Sequence, residues 1–338
     1  MNVKIKSLFK KKISPYIIAE IGINHDGDFK KAKNLIKLAK SSGAHAVKFQ
    51  LFKAEDLYVK SSKVFKIVKK LELSYSNIEK LRKYAKKIKI DFICTPFSLK
   101  AASFLKKINV NAIKIASMDA NNFILISECI KLKLPLIIST GMCNKLDLLN
   151  LNKKLISLNA INIVIMHCLS NYPCKSIDVN LNSIKQFKKI FNRKFKIGYS
   201  DHTVGITACL NSIFKGAQVI EKHFTEKKNN KNDHIHSADE NDMKILSSFS
   251  NDYLKSAGNE NFFNKRKDLK NKKIFRRGIY ASKNIIRFSK LSREQINLVR
   301  PQNQPNINLD EKIFSKKINK NVKKNQQITQ KDINNYKL

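Results

Sequence analysis

The chain has no run of apolar residues approaching the ~20 needed to cross a membrane. Its opening stretch, MNVKIKSLFKKKISP, carries charge but no continuous apolar core of the kind a secretory signal needs. A soluble protein working in the cytoplasm is therefore expected. None of the six cysteines forms a C-x-x-C pair or a zinc-type spacing. They lie in or beside apolar segments, where a reduced thiol behaves as a small hydrophobe. No G-x-G-x-x-G follows the first apolar run, which argues against a dinucleotide-binding open sheet. Acids are scarce, 26 against 67 lysines and arginines, for a formal charge of +41. Such a balance raises nucleic acid as a partner, because counterion release drives basic proteins onto phosphate backbones. No binding motif accompanies the charge, however, and the lysines fall mostly on helix faces such as KKAKNLIKLAKSSG, where solvation is the usual role. Lysine, isoleucine and asparagine are in excess along the whole chain, as an AT-rich coding bias would produce. Neither membrane nor nucleic acid is expected as a partner, and the charge suits the attraction of small anionic substrates.

What the chain does have is a regular beat. Apolar, β-branched runs occur at 16–22, 44–52, 90–97, 111–117, 134–141, 161–168, 196–203 and 217–225. Amphipathic segments such as FKKAKNLIKLAKSS, NIEKLRKYAKKI, LDLLNLNKKLISL and LNSIKQFKKIF lie between them. Strand alternating with helix indicates a parallel sheet with crossover helices, and this number of units matches the ~250 residues of a (β/α)8 TIM barrel. The predicted fold class is therefore α/β: a TIM barrel over 1–256, a polar linker over 257–275 and a small mixed unit over 276–338.

Polar residues stand at the ends of the predicted strands, and in such a barrel these ends converge on one face, where the active site lies. They include Glu20, Lys48 with Gln50, Thr95 with Phe97, Lys114 with Ser117, Ser139, His167 followed by Ser170 and Tyr172, Ser200 with His202, and Glu221 with His223. Lys48 and Lys114, with the hydroxyls of Thr95, Ser117, Ser139 and Ser200, make a cationic cradle of the kind a phosphate or phosphorylated acid needs. Alternation puts Ser200 and His202 on one side of their strand, and Glu221 and His223 on one side of the next. Two imidazoles on neighbouring strand ends, with carboxylates nearby, can hold a divalent metal and leave positions open for substrate. Glu20 is placed for a general base or a hydroxyl anchor, and equally for a salt bridge to Lys48 or Lys114. His234 and His236, in NKNDHIHSADE, read as loop residues, with Asp233 as an acceptor for a substrate hydroxyl.

In this order, the motifs IAEIGINHDG, VKFQ, CTPF, KIAS, STGM, HC..NYP, GYSDHT and EKHFT resemble the sialic acid synthase family over about residues 16–245. The tail, with RRGIYASKNI and LVRP, resembles the small antifreeze-like (SAF) domain found at the C-terminus of these synthases. The resemblance implies condensation of phosphoenolpyruvate with an open-chain N-acyl hexose, N-acetylmannosamine or a relative, to a nonulosonic acid and phosphate. A diacetamido-trideoxyhexose, leading to legionaminate or pseudaminate, is the alternative substrate. It further implies that Lys48, Thr95, Lys114, Ser117, Ser139, Ser170 and Ser200 hold phosphoenolpyruvate, with Ser170 where an asparagine is frequent. His202 and His223 would bind the catalytic ion, usually Mn2+, with Mg2+ or Co2+ as substitutes. Glu20, Gln50, Phe97, Asp119, Tyr172 and Asp233 would line the sugar side, with Glu20 also moving a proton. Arg300 would reach the active site of a partner subunit in a domain-swapped homodimer. Asp119 departs from the glutamate that many members carry, the loop before Asp233 lacks a Gly-Pro, and KKNQQI replaces a common glycine turn. The competing readings are a Schiff-base aldolase using Lys114 or Lys48 as nucleophile, and a basic nucleic-acid-binding protein.

Overall fold

A computed structural model describes residues 15–191, 194–257, 266–302 and 311–333. The opening stretch up to residue 14 and residues 258–265 of the expected linker lie outside the described residues. The chain divides into two compact units, Met1–Ala257 and Gly258–Leu338.

The first unit is a closed barrel of eight strands in sequential order. They are β1 (Tyr16–Gly22), β2 (Ala46–Leu51), β3 (Asp91–Pro96), β4 (Ala112–Ile115), β5 (Leu136–Ser139), β6 (Ile163–Cys168), β7 (Lys196–Asp201) and β8 (Val219–His223). Every neighbouring pair, including the closing β1–β8, is parallel. Each strand falls within the apolar run that predicts it. Parallel strands covered on both faces need apolar residues on both, which is why these runs are continuous rather than alternating. The helices bury one stripe against the barrel. Phe29–Ser41 turns Ala32, Leu35, Ile36 and Ala39 inward and starts at Asp28, whose carboxylate accepts the Lys30 and Lys31 amides.

Inside the barrel, Tyr16, Ile18, Ala46, Ile93, Ala112, Ile137, Val164, Met166 and Val219 pack into an apolar floor. A second, larger core fills the space between strands and helices, and odd positions such as Ile163 and Ile165 of β6 belong to it. Strand alternation therefore sorts residues into two destinations. At the ends of β7 and β8 it sends Asp201 and Lys222 outward, where they pair at 2.5 Å with both side chains fully buried. Tyr199 donates to Asp201 at 2.6 Å, and Lys222 also donates to the Thr203 carbonyl at 2.5 Å. Removing one partner of a buried pair strands the other charge. Lys222→Met is expected to cost about 3–5 kcal/mol in denaturant unfolding; a cost under about 1 kcal/mol would mean that Asp201 is not held by this pair.

The second unit contains an antiparallel sheet in the order β10 (Ile296–Val299), β9 (Gly278–Ala281), β11 (Gln327–Ile328). Its own core includes Ile279, Ile285, Ile313, Ile318, Val322 and Ile333. Within the segment read as a linker, Lys267–Asn271 form a 3-10 turn and Lys272–Phe275 a short helix. No helix among the described residues is long and apolar enough to cross a membrane.

Candidate active site

One layer above the apolar floor, the barrel interior turns polar. Two residues beyond Ile18, Ala46, Ile93, Ala112, Ile137 and Val219 stand Glu20, Lys48, Thr95, Lys114, Ser139 and Glu221; β7 does the same with Gly198 and Ser200. On β6 the corresponding step leads from Met166 to Cys168. Period-two alternation thus delivers one side chain from every strand to the floor of a cavity of about 180 Å3. β1 bends as it ends, with a register shift between Glu20 and Gly22 and Gly22 at φ +53°. A Cβ on Gly22 would lie 3.2 Å from the Glu20 carboxylate, so the glycine leaves that carboxylate its place.

The two lysines and two carboxylates form one network. Lys48 lies 3.0 Å from Glu20 and 3.6 Å from Glu221, and Lys114 lies 3.0 Å from Glu221. Ser200 donates to Glu221 at 3.0 Å and Gln50 donates to Glu20 at 3.0 Å. All four charged groups are almost wholly buried. Burial opposes the charge on Lys48, but Glu20 and Glu221 outweigh it and raise its pKa. Burial prevails at Lys114, whose pKa is lowered despite Glu221. Burial raises the Glu20 carboxyl, whereas Lys114 and Lys48 hold Glu221 low against its burial. A buried charge persists only when paired, and Glu221 stands as partner to both lysines at the cavity floor. Glu20 Oε2 and Glu221 Oε2 are buried without a hydrogen-bond partner among the described residues.

Further hydroxyls gather around Gly141. Ser117 accepts the Gly141 amide at 3.0 Å, and the hydroxyls of Ser139 and Ser170 are buried without hydrogen-bond partners among the described residues. A Cβ on Gly141 would collide with the Ser170 hydroxyl and lie 2.8 Å from that of Ser117. The backbone is therefore bare where the hydroxyls converge, as an anion cradle requires. Gly141→Ala is expected to raise KM for an anionic substrate about a hundredfold with the fold retained, which steady-state kinetics beside near-ultraviolet circular dichroism would check.

At the mouth the next residues along β7 and β8, His202 and His223, meet Tyr172. The His202 and His223 ring centroids are 5.3 Å apart, and Tyr172 lies 4.1 Å from His202. The Leu169 carbonyl, 2.6 Å from His202 Nδ1, assigns the proton to that nitrogen and leaves Nε2 as the lone pair. Burial lowers the His202 pKa to about 4 and takes that of His223 well below its ordinary value. Both rings are therefore neutral near pH 7, the form that binds a metal. Asp233 adds a carboxylate 3.4 Å from His223 Nδ1, a nitrogen buried without a hydrogen-bond partner. Neutral imidazoles, a carboxylate and an orphaned nitrogen are a donor set that fits a divalent ion.

The expected residues of the first unit mostly come together here; Phe97 and Gln50 complete the rim. Asp119 does not line the cavity: its carboxylate accepts from Asn122 at 2.9 Å within its own turn. Arg300 belongs to the second unit, where its guanidinium lies 5.7 Å from the Phe275 ring. His167 corrects the reading of β6. It shares the outward parity of Ile165, binds the Val179 carbonyl at 2.7 Å and stacks on Tyr199, so Cys168 faces the cavity instead. Two further relations are not visible in the sequence. Glu221 is the partner of both lysines, a pairing across the barrel that no local pattern shows. His234 and His236, read as loop residues, are both buried, and His236 stands 4.8 Å from His223.

A (β/α)8 barrel with buried lysines, carboxylates and hydroxyls beneath a histidine-rich mouth defines an enzyme for small anionic substrates. The chain belongs to the NeuB family, whose pattern residues 35–262 match. It is 36% identical over 311 residues to the N,N'-diacetyllegionaminic acid synthase of Legionella pneumophila, with 85% of each chain covered. It is 44% identical over 247 residues to an uncharacterized protein of Methanocaldococcus jannaschii, covering 72% of this chain and 73% of that one. Among solved structures it is similar to the N-acetylneuraminic acid (sialic acid) synthetase of Leptospira borgpetersenii in complex with citrate. That likeness has a TM-score of 0.72 at 30% identity and covers 76% of this chain and 90% of the other.

Proposed function

We propose that the chain condenses phosphoenolpyruvate with an open-chain N-acyl hexose and water, giving a nonulosonic acid and inorganic phosphate. The observation that carries this reading is the buried lysine–carboxylate network beside the hydroxyl cradle around Gly141, in a chain of this family. Lys48 and Lys114 neutralise the phosphate and carboxylate of phosphoenolpyruvate, while Thr95, Ser117, Ser139, Ser170 and Ser200 orient their oxygens. Held so, C3 of phosphoenolpyruvate attacks the aldehyde carbon, water adds at C2, and the C2–O bond breaks to release phosphate. Glu20, with one carboxylate oxygen buried and unpartnered, moves a proton of the attacking water or of the new hydroxyl. His202 and His223 hold a divalent ion, Mn2+ first with Mg2+ or Co2+ as substitutes, which when bound supplies Lewis-acid polarisation of the aldehyde oxygen.

Gln50, Phe97, Tyr172 and Asp233 face the sugar. In the same reading residues 276–338 are an SAF module that brings Arg300 to the N-acyl group in a partner subunit's site, in a cytoplasmic homodimer. The similarity to the Legionella synthase along most of both chains favours a diacetamido sugar as the second reading of the acceptor.

Phosphate release with Mn2+ and a panel of N-acyl hexoses, with and without EDTA, tests the proposal. Sugar-dependent, EDTA-sensitive release is expected, and the best sugar identifies the acceptor. Release indifferent to sugar would overturn it, and borohydride trapping of pyruvate on Lys114 or Lys48 would replace it with a Schiff-base mechanism.

A further inference from the structure

The segment after β8 leaves the barrel and returns to it. The Ala238 amide donates to the His223 carbonyl at 2.7 Å and the Thr225 amide to the Ala238 carbonyl at 2.9 Å, so both ends of the excursion are tied to the strand end. Asn24, wholly buried, donates to the Phe224 carbonyl at 3.0 Å and to Ser237 Oγ at 2.9 Å, and Ser237 donates to the Asp233 carbonyl at 2.6 Å. Between these ties Asn232–His236 form a 3-10 turn. Side chains three apart eclipse in a 3-10 turn, so Asp233 and His236 share one face. His234 points elsewhere, its Nδ1 2.6 Å from Thr225 Oγ1.

That shared face looks at His223. Ligand atoms of His223, Asp233 and His236 lie within 4.8 Å of one another, and the His236 ring is 5.9 Å from that of His202. His236 is 1% exposed, and neither of its ring nitrogens has a hydrogen-bond partner among the described residues, Nε2 lying 3.9 Å from Asp233 Oδ1. A fully buried imidazole with both nitrogens orphaned, aimed at a further orphaned imidazole nitrogen and a carboxylate, has the environment of a metal ligand rather than of a packing residue.

We propose that His236 and Asp233 join His202 and His223 as ligands, making one three-imidazole, one-carboxylate metal centre; this rests on the metal reading of the site given above. His236 and Asp233 would add an imidazole nitrogen and a carboxylate oxygen to the two imidazoles, a donor set suited to a divalent ion. Such a nitrogen-rich set makes Mg2+ the weakest of the substitutes, and affinities are expected to rise from Mn2+ to Co2+ and Zn2+.

The test is titration of the metal-free full chain with Co2+, read by calorimetry and by visible d–d absorption. Wild type is expected to take one equivalent, and His236→Ala to weaken binding at least tenfold with a changed spectrum, while His234→Ala leaves both unaltered. Wild-type affinity and spectrum in a folded His236→Ala would overturn the proposal. Should that variant fail to fold, X-ray absorption on Co2+-loaded wild type decides: three imidazoles support the assignment and two overturn it. Loss of binding in His202→Ala but not in His236→Ala would sink this inference alone. Absence of Co2+ uptake by wild type would sink the metal reading with it.

Discussion

Replacing Lys114 by methionine is expected to lower kcat/KM for phosphoenolpyruvate by about a thousandfold. A single preorganised donor at developing charge is worth ~10²–10³ in rate, and Lys114 is 2% exposed and 3.0 Å from Glu221. Its loss acts twice. It removes an ammonium from the anion cradle, and it leaves Glu221 with Lys48 alone at 3.6 Å, an added negative charge facing the substrate. The second effect separates this account from simple lost packing. Adding Glu221→Gln to Lys114→Met should recover stability, because the stranded buried carboxylate is gone, without recovering turnover. Lys114→Arg should also fail, since the guanidinium fork does not fit a point-charge position at Glu221 Oε1, an oxygen that Ser200 and Lys48 also approach. Near wild-type kcat/KM in a folded Lys114→Met chain would remove the lysine from the site.

The second large effect is expected at His223. His223→Ala should reduce turnover at least ~10³-fold with Mn2+ present, the several kcal/mol that a Lewis acid contributes at a carbonyl oxygen. Bound metal, measured by atomic emission after gel filtration, should fall with it. EDTA should bring wild type to the same low rate, and Mn2+ should restore wild type but not the variant. His223 suits this role because β8 delivers it to the cavity next to its strand partner Glu20, and no hydrogen bond occupies its Nδ1. Activity that survives both EDTA and His223→Ala would exclude a metal-assisted step.

Much of this was legible before any coordinates. The eight strands are visible because strands buried on both faces must be continuously apolar, and the site is visible because polar residues interrupt those runs at their ends. Counting in twos puts Ser200 with His202 and Glu221 with His223, and all four line the cavity, as do Lys48 and Lys114, placed by their positions at the strand ends. The same count applied to β6 would have turned His167 outward with Ile163 and Ile165 and put Cys168 in the cavity; placing the histidine by its position at the strand end missed this. Glu221 was seen as a neighbour of His223 and not as the partner of Lys114, 107 residues away, because barrel closure creates that contact and local sequence does not. His236 was beyond reach for a different reason. Alternation ends with the strand, and only the 3-10 turn pinned by Asn24 and Ser237 decides which residues of NDHIH face inward. The excess of lysine, conspicuous in composition, has little part in the chemistry: the cradle uses two lysines, both inside strands.

The central claim is a carbon–carbon condensation in which phosphate leaves phosphoenolpyruvate by C–O cleavage. The most direct measurement is mass spectrometry of both products after reaction of the Mn2+-loaded protein with an N-acyl hexose and phosphoenolpyruvate carrying oxygen-18 at the bridge between C2 and phosphorus. The account predicts labelled phosphate, together with a sugar acid enlarged by the carbons of pyruvate and free of label. Label retained in the sugar acid, or phosphate released without any enlarged acid, would contradict it.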